Sequence, residues 1–386
     1  MSDVSRGRKR ALGSPPPLWG QQKRHKSNKK TKSILEMLEN PINLRGLPLR
    51  QGNINELPKD IRSLYLQIYD ASLSGNGVLP YALREEMTAV YRAQAVWFKE
   101  DDKTTKAEAV EVYNTLCEII QRATDAFTYE RHESSWNNLV HTPLLELIFT
   151  SRIFDTLSTA GRPVPLTRGV SIRFEPVTDA LPLLCSGIDV PDTESNNDSQ
   201  TDLSRTDVLR VANRGNFKRV DYVLVMDMPK TASLQKTISN LAFYCNCCEL
   251  SHINQTTYRP IEKSLIAVSI KTKPSASSTE PLLQLGIWTA AWISRMYALR
   301  PSASRDPRPL VSLPMIQVVG HDWAVYFACD MGSYIDVHGP MKLGSTETII
   351  STYTLVFCLK LIKTWIETTF QDAMKEWFNV KSEQAE

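Results

Sequence analysis

The sequence predicts an α/β protein, a sheet covered by helices, with a helical layer ahead of it. Three observations carry this. Short apolar runs at 219–226 and 264–271 are strand-like. Longer segments between and after them repeat apolar residues at helical spacing. A block of helical patterning, 56–130, precedes them all and suits a layer that covers a sheet.

In chain order, residues 1–32 read as a disordered basic tail: ten of the 45 Lys and Arg residues and one of the 42 acids fall there. The net charge of +3 therefore hides a mildly acidic body, which weakens bulk charge as a way of gripping nucleic acid. The clusters Arg6-Gly7-Arg8-Lys9-Arg10 and Lys23-Arg24-His25-Lys26, separated by a proline-containing spacer, have the pattern of a two-part import signal. The expected location is the nucleus, and otherwise the cytoplasm.

Residues 33–130 are expected to be a helical region packed on the core. Its first helix opens at Leu57-Pro58-Lys59-Asp60 and ends at the turn Gly75-Asn76-Gly77. A second runs from about Pro80 through Trp97. A third runs from about Lys106 to Phe127, with Val110, Tyr113, Leu116, Cys117 and Ile120 on one face.

The main domain is expected over 131–380. It opens with a helix from Glu133, on which Trp136, Val140 and Leu144 recur every four residues. Pro143 kinks or restarts that helix, with Thr142 as an N-cap. A short strand is expected at 170–174, and a mobile polar loop at 189–207. Strands follow at 219–226 and 264–271, then a helix from Pro281 to Tyr297. Strands at 313–319 and 322–329 lead to a final helix at 347–378.

Several classes of protein find no support. No uninterrupted apolar run approaches the roughly 20 residues that span a bilayer, and no membrane association is expected. No apolar segment follows the basic N-terminus, so a secretory signal is not expected. Seven cysteines, mostly in apolar runs, suit free thiols in a reducing compartment. Cys245-Asn246-Cys247-Cys248 with His252 lacks the separated pairs of a tetrahedral zinc site. There is no G-x-S-x-G elbow and no G-x-x-x-x-G-K-[ST] loop, so neither a serine hydrolase nor a P-loop ATPase is indicated. No small-molecule cofactor is expected, and the sequence names no protein partner.

One constellation remains. Asp221 opens one strand, and the next ends in Lys271-Thr272-Lys273. Side chains alternate along a strand, so Lys271 and Lys273 share a face with Ser269 and Ala267. With an acid on the preceding helix and a glutamine on the following one, Glu133, Asp221, Lys273 and Gln284 are candidates to converge at one sheet edge. Phosphodiester hydrolysis needs such groups: carboxylates to hold a divalent ion, and a lysine to orient water and stabilise developing charge. Taken singly, each residue also has an ordinary reading. Asp221 suits a turn, Glu133 favours a helix N-terminus, and the two lysines suit a solvated strand end.

From about 130 to 378 the chain resembles the fungal PD-(D/E)XK nuclease-like family. The resemblance rests on Glu133-Ser134-Ser135-Trp136-Asn137 with Val140-His141, Arg219-Val220-Asp221-Tyr222, Ser251-His252-Ile253-Asn254-Gln255-Thr256, Gln284-Leu285-Gly286-Ile287-Trp288, Gly320-His321-Asp322-Trp323 and Gly344-Ser345-Thr346, in that order. It implies a restriction-endonuclease-like core, a central mixed sheet flanked by helices. It implies Mg²⁺-dependent cleavage of DNA, with Asp221 and Glu133 as metal ligands, Lys273 stabilising charge and Gln284 completing the catalytic site. The family reads Glu-Thr-Lys where this chain reads Lys271-Thr272-Lys273. A lysine there brings a second ammonium and removes a ligand, unless another carboxylate such as Glu280 or Glu262 moves in. The alternatives are a catalytically inactive descendant that binds nucleic acid or protein, and a purely structural interaction protein.

Overall fold

The computed structural model describes residues 32–38, 40–47, 53–100, 102–150, 170–178, 180, 182, 219–244, 252–275, 280–300 and 308–380. The basic clusters of the tail, the 189–207 segment and the cysteines at 245, 247 and 248 lie outside them.

Seven strands form one mixed sheet: β1 (Ile42–Arg45), β2 (Ser171–Pro176), β3 (Tyr222–Asp227), β4 (Leu265–Lys273), β5 (Leu313–Val319), β6 (Asp322–Asp330) and β7 (Ile335–Ser345), in the order β1-β7-β6-β5-β4-β3-β2. β1 runs parallel to β7 and β4 parallel to β5; the other pairs are antiparallel. Strands β3 and β4 are apolar along nearly their whole length because both faces are covered, and all but their last residues are buried. The α/β class and the central mixed sheet are as expected. β1 and β7 were not foreseen: β1 is four residues long, and Gly339-Pro340 interrupts the strand pattern of β7.

The helices are α1 (Lys59–Ser74), α2 (Arg84–Tyr91), α3 (Lys106–Thr128), α4 (Glu133–Trp136), α5 (Thr142–Phe149), α6 (Ser233–Tyr244), α7 (Glu280–Ala298), α8 (Ile349–Trp365) and α9 (Gln371–Trp377). The expected second helix is shorter than its pattern suggested. It stops at Tyr91 because Arg92 turns left-handed, with φ of 54°. The chain then folds back so that the Leu79 N–H donates to the Trp97 carbonyl and the Lys99 N–H to the Leu79 carbonyl. In α3 the buried face is Ala109, Val112, Leu116, Ile119, Ala123 and Ala126, not the bulkier Val110, Tyr113, Cys117 and Ile120. Alanines let the helix approach closely and leave the larger residues to flank the contact.

Pro143 stands in the first turn of α5, in a helical run that is continuous from α4. A π turn, Asn137–His141, joins α4 to α5, and Thr142 is helical (φ −59°, ψ −52°) rather than an N-cap. The widened turn makes room for the proline ring against the preceding turn. Thr142 Oγ1 instead lies 2.9 Å from the Tyr222 hydroxyl, which ties this helix to β3.

Helix α7 bridges the parallel strands β4 and β5 and is buried nearly all round. A Cβ on its Gly286 would sit 2.8 Å from Leu35 Cδ2 and 3.2 Å from Ile42 Cδ1, so the N-terminal segment clamps directly on the helix backbone. Helix α8 packs on β7 and on α1. The helical run Ile349–Trp377 is long and apolar enough to cross a membrane by length and composition alone, but most of its apolar stretch is buried in the fold, as in a core helix.

Candidate functional site

The site forms where the β4 C-terminus meets the start of β3 and the first turn of α4. The Asp221 N–H donates to the Ile270 carbonyl at 2.9 Å, which locks the approach to β3 against β4. Pairing of Tyr222 with Ile270 then sets Asp221 beside Lys271 and Thr272. Glu133 projects from the first turn of its helix across the same strand end.

Lys271 Nζ lies 3.0 Å from Glu133 Oε1 and 3.0 Å from the Asp221 carboxylate. Lys273 Nζ donates to Glu133 Oε2, also at 3.0 Å. The Thr272 N–H donates to Asp221 Oδ2 at 2.7 Å. The Thr272 hydroxyl stands 2.9 Å from that oxygen and 2.8 Å from Asn137 Oδ1, with one proton for the two. The π turn places Asn137 there together with His141, whose Nδ1 is 3.0 Å from Asn137 Oδ1.

Lys271 and Asp221 are buried, at 4% and 3% exposure, whereas Glu133 and Lys273 reach the surface. Burial raises the Asp221 carboxyl above its ordinary range despite the opposing pull of Lys271 and the Thr272 N–H. Burial also raises Glu133, but Lys271 and Lys273 outweigh it and hold that carboxyl low. His141, sealed against Trp136 and Trp323, is pushed down to about 3 by burial and stays neutral. Counted in their ionised forms, the two acids and two lysines give a centre of zero net charge.

Glu133, Asp221 and Lys273 converge as the sequence suggests. Gln284 is buried on the first turns of α7, and the contacts that join the other three do not include it. Glu262 lies just before the opposite end of β4, about 20 Å or more from Lys271 at roughly 3.3 Å per strand residue, so it cannot replace a ligand. The Glu280 side chain lies outside the described residues. Thr272, Asn137 and His141 were missed as site residues. Their signal was present, since Asn137 and His141 stand four apart in the quoted helix motif, but only the fold brings them to Asp221.

Among the described residues the donor set does not fit a divalent ion. The position between Glu133 and Asp221 is taken by the Lys271 ammonium, and each carboxylate oxygen already faces an N–H or O–H donor. Among the described residues, no three His, Cys, Asp or Glu side chains converge on one point.

Such a fold, with a helix acid, a strand acid and a strand-end lysine at one sheet edge, defines a nuclease-like α/β protein. The family model of the PD-(D/E)XK nuclease superfamily matches residues 82–371, and the chain belongs to that superfamily. The restriction-endonuclease-like character of the core follows. Neither the comparison with curated proteins nor that with solved structures returned a match.

Proposed function

We propose that this chain is a nuclease-fold protein that binds nucleic acid without a divalent ion, Lys271 taking the ion's place, and that it does not cut. The single observation behind this reading is the Lys271 ammonium, held 3.0 Å from both carboxylates. A pair of bare carboxylates repels a phosphodiester, and in a metal enzyme the ion removes that repulsion. Here two ammoniums already remove it. Lys273 is a quarter exposed and keeps donor capacity beyond its bond to Glu133, so it meets a phosphate oxygen at the mouth of the site. Among the described residues Glu133 is a poor base for hydrolysis, since two lysines hold its carboxyl low and leave it little affinity for a proton from water. Superfamily membership supports nucleic acid as the partner. It also favours the second reading, a Mg²⁺-dependent DNA nuclease with a repositioned ligand such as Glu280.

The test is binding and cleavage of labelled DNA in EDTA and in Mg²⁺ or Mn²⁺. Binding is expected to persist in EDTA, to fall with added salt, divalent salt included, and to come without cleavage. Metal-dependent cutting that Asp221→Asn abolishes would establish the second reading instead.

A further inference from the structure

Phe127 lies in the last turn of α3 and Tyr129 begins the turn into Glu133, and the two residues are 63% and 71% exposed. Lone exposed aromatics are ordinary. Phe127 is joined to the site, and Tyr129 stands two residues further along the same surface. The Phe127 ring centroid lies 5.4 Å from that of His321, and His321 meets the buried Trp136 edge-on at 5.2 Å. An aromatic shelf thus runs from solvent to the helix that carries Glu133. Its inner end abuts Lys273, because the N–H of Gly320, next to His321, donates to the Lys273 carbonyl at 2.8 Å.

Basic residues stand beside the rings. The Arg131 guanidinium lies 5.9 Å from the Tyr129 centroid; Arg131 and His132 are exposed, and Lys273 is partly so. Glu130 is the one acid of residues 127–132 and occupies the left-handed turn between them. The centre of a protein-binding surface is depleted of charge, whereas rings alternating with basic groups are how single-stranded nucleic acid is held: bases stack, and the cations follow the backbone.

We propose that Phe127, Tyr129 and His321 stack the unpaired bases of a single-stranded nucleic acid, with Arg131 and Lys273 on its phosphates. The site then receives a frayed end or a loop rather than continuous duplex, in which neighbouring bases cover the faces that the rings need. The proposal rests on the nucleic-acid reading above and adds the strand state and the residues that read it. Every base has a π face, so the shelf tolerates any sequence.

Fluorescence anisotropy with a single-stranded DNA, the same sequence as RNA, and a blunt DNA duplex tests it on the full chain. The wild type is expected to prefer a single strand, and the tighter of the DNA and RNA arms names the source. Phe127→Ala and Tyr129→Ala are each expected to weaken that binding about tenfold, the weight of one stacked base, with duplex binding unchanged. Phe127→Trp is expected to keep the affinity, with its emission quenched on binding. Single-strand binding that ignores both alanine variants, or an equal loss on duplex, overturns the shelf and leaves the nucleic-acid reading standing. A wild type that binds none of the three overturns that reading itself.

Discussion

Replacing Lys271 by glutamate reverses the charge at a point almost closed to solvent, where the native ammonium faces two carboxylates at 3.0 Å. Removing one partner of a buried ion pair costs about 3–5 kcal/mol. The new carboxylate adds repulsion with Glu133 and Asp221, about 4 kcal/mol for a pair 4 Å apart at an effective dielectric of 20. Uptake of a proton or a divalent ion relieves that repulsion. Even the lower figure of about 3 kcal/mol lowers the unfolding temperature by roughly 4 °C, since a chain of 386 residues unfolds with an entropy of about 0.8 kcal/mol/K. If the variant now binds Mg²⁺, an ion concentration 100 times its Kd returns about 2.7 kcal/mol, most of that loss. The assay is thermal unfolding followed by circular dichroism, in EDTA and in Mg²⁺, for the wild type, Lys271→Glu and Lys271→Met. The wild type is expected to ignore Mg²⁺. Lys271→Met is expected to be destabilised and equally indifferent, because it lacks the third carboxylate. Lys271→Glu alone is expected to recover. A Mg²⁺-induced rise in the wild type as large as that in Lys271→Glu would refute the reasoning, since the native site would then hold the ion despite its lysine.

Two further outcomes follow from the packing around the site and behind it. His141 is neutral when folded, near 3 against an ordinary 6.5, so its contribution is full above 6.5 and is lost as pH falls toward 3. At about 1.36 kcal/mol per pH unit, roughly 2 kcal/mol is gone by pH 5; Asp221, whose carboxyl is raised, acts in the opposite sense. The difference between wild type and His141→Gln in urea unfolding from pH 7 to 5 isolates the histidine, and parallel profiles would exclude it as the cause. A Cβ on Gly344 would fall 2.6 Å from the Ser351 carbonyl and 2.7 Å from the Leu355 N, at φ of 148°. Gly344→Ala is therefore expected to cost about 2–3 kcal/mol or more, whereas Gly332→Ala meets no atom within 4 Å and is expected to cost only about 1–2 kcal/mol for its left-handed backbone. Equal losses in denaturant unfolding would remove the close approach of β7 to α8 as the explanation.

The sequence by itself determined the α/β class, strands β2 to β6 and the long helices α7 and α8, because buried strands and core helices are written as local apolar runs whose period is set by backbone geometry. It also determined that Glu133, Asp221 and Lys273 belong together, through the order of motifs. It could not show β1 or β7, whose place in the sheet depends on pairing across nearly 300 residues, Ile42 with Ile335. Nor could it show which face of α3 is inward, since large apolar residues stand on two neighbouring faces, Val112, Leu116 and Ile119 on the buried one and Tyr113, Cys117 and Ile120 beside it. Above all, the sequence presented Lys271 as a ligand lost. Only the tertiary structure decided that its ammonium stands between two carboxylates, 138 and 50 residues away along the chain. No local period encodes such a meeting. It arises because β3 pairs with β4 and α4 begins across their end, so that the Lys271 ammonium meets both carboxylates.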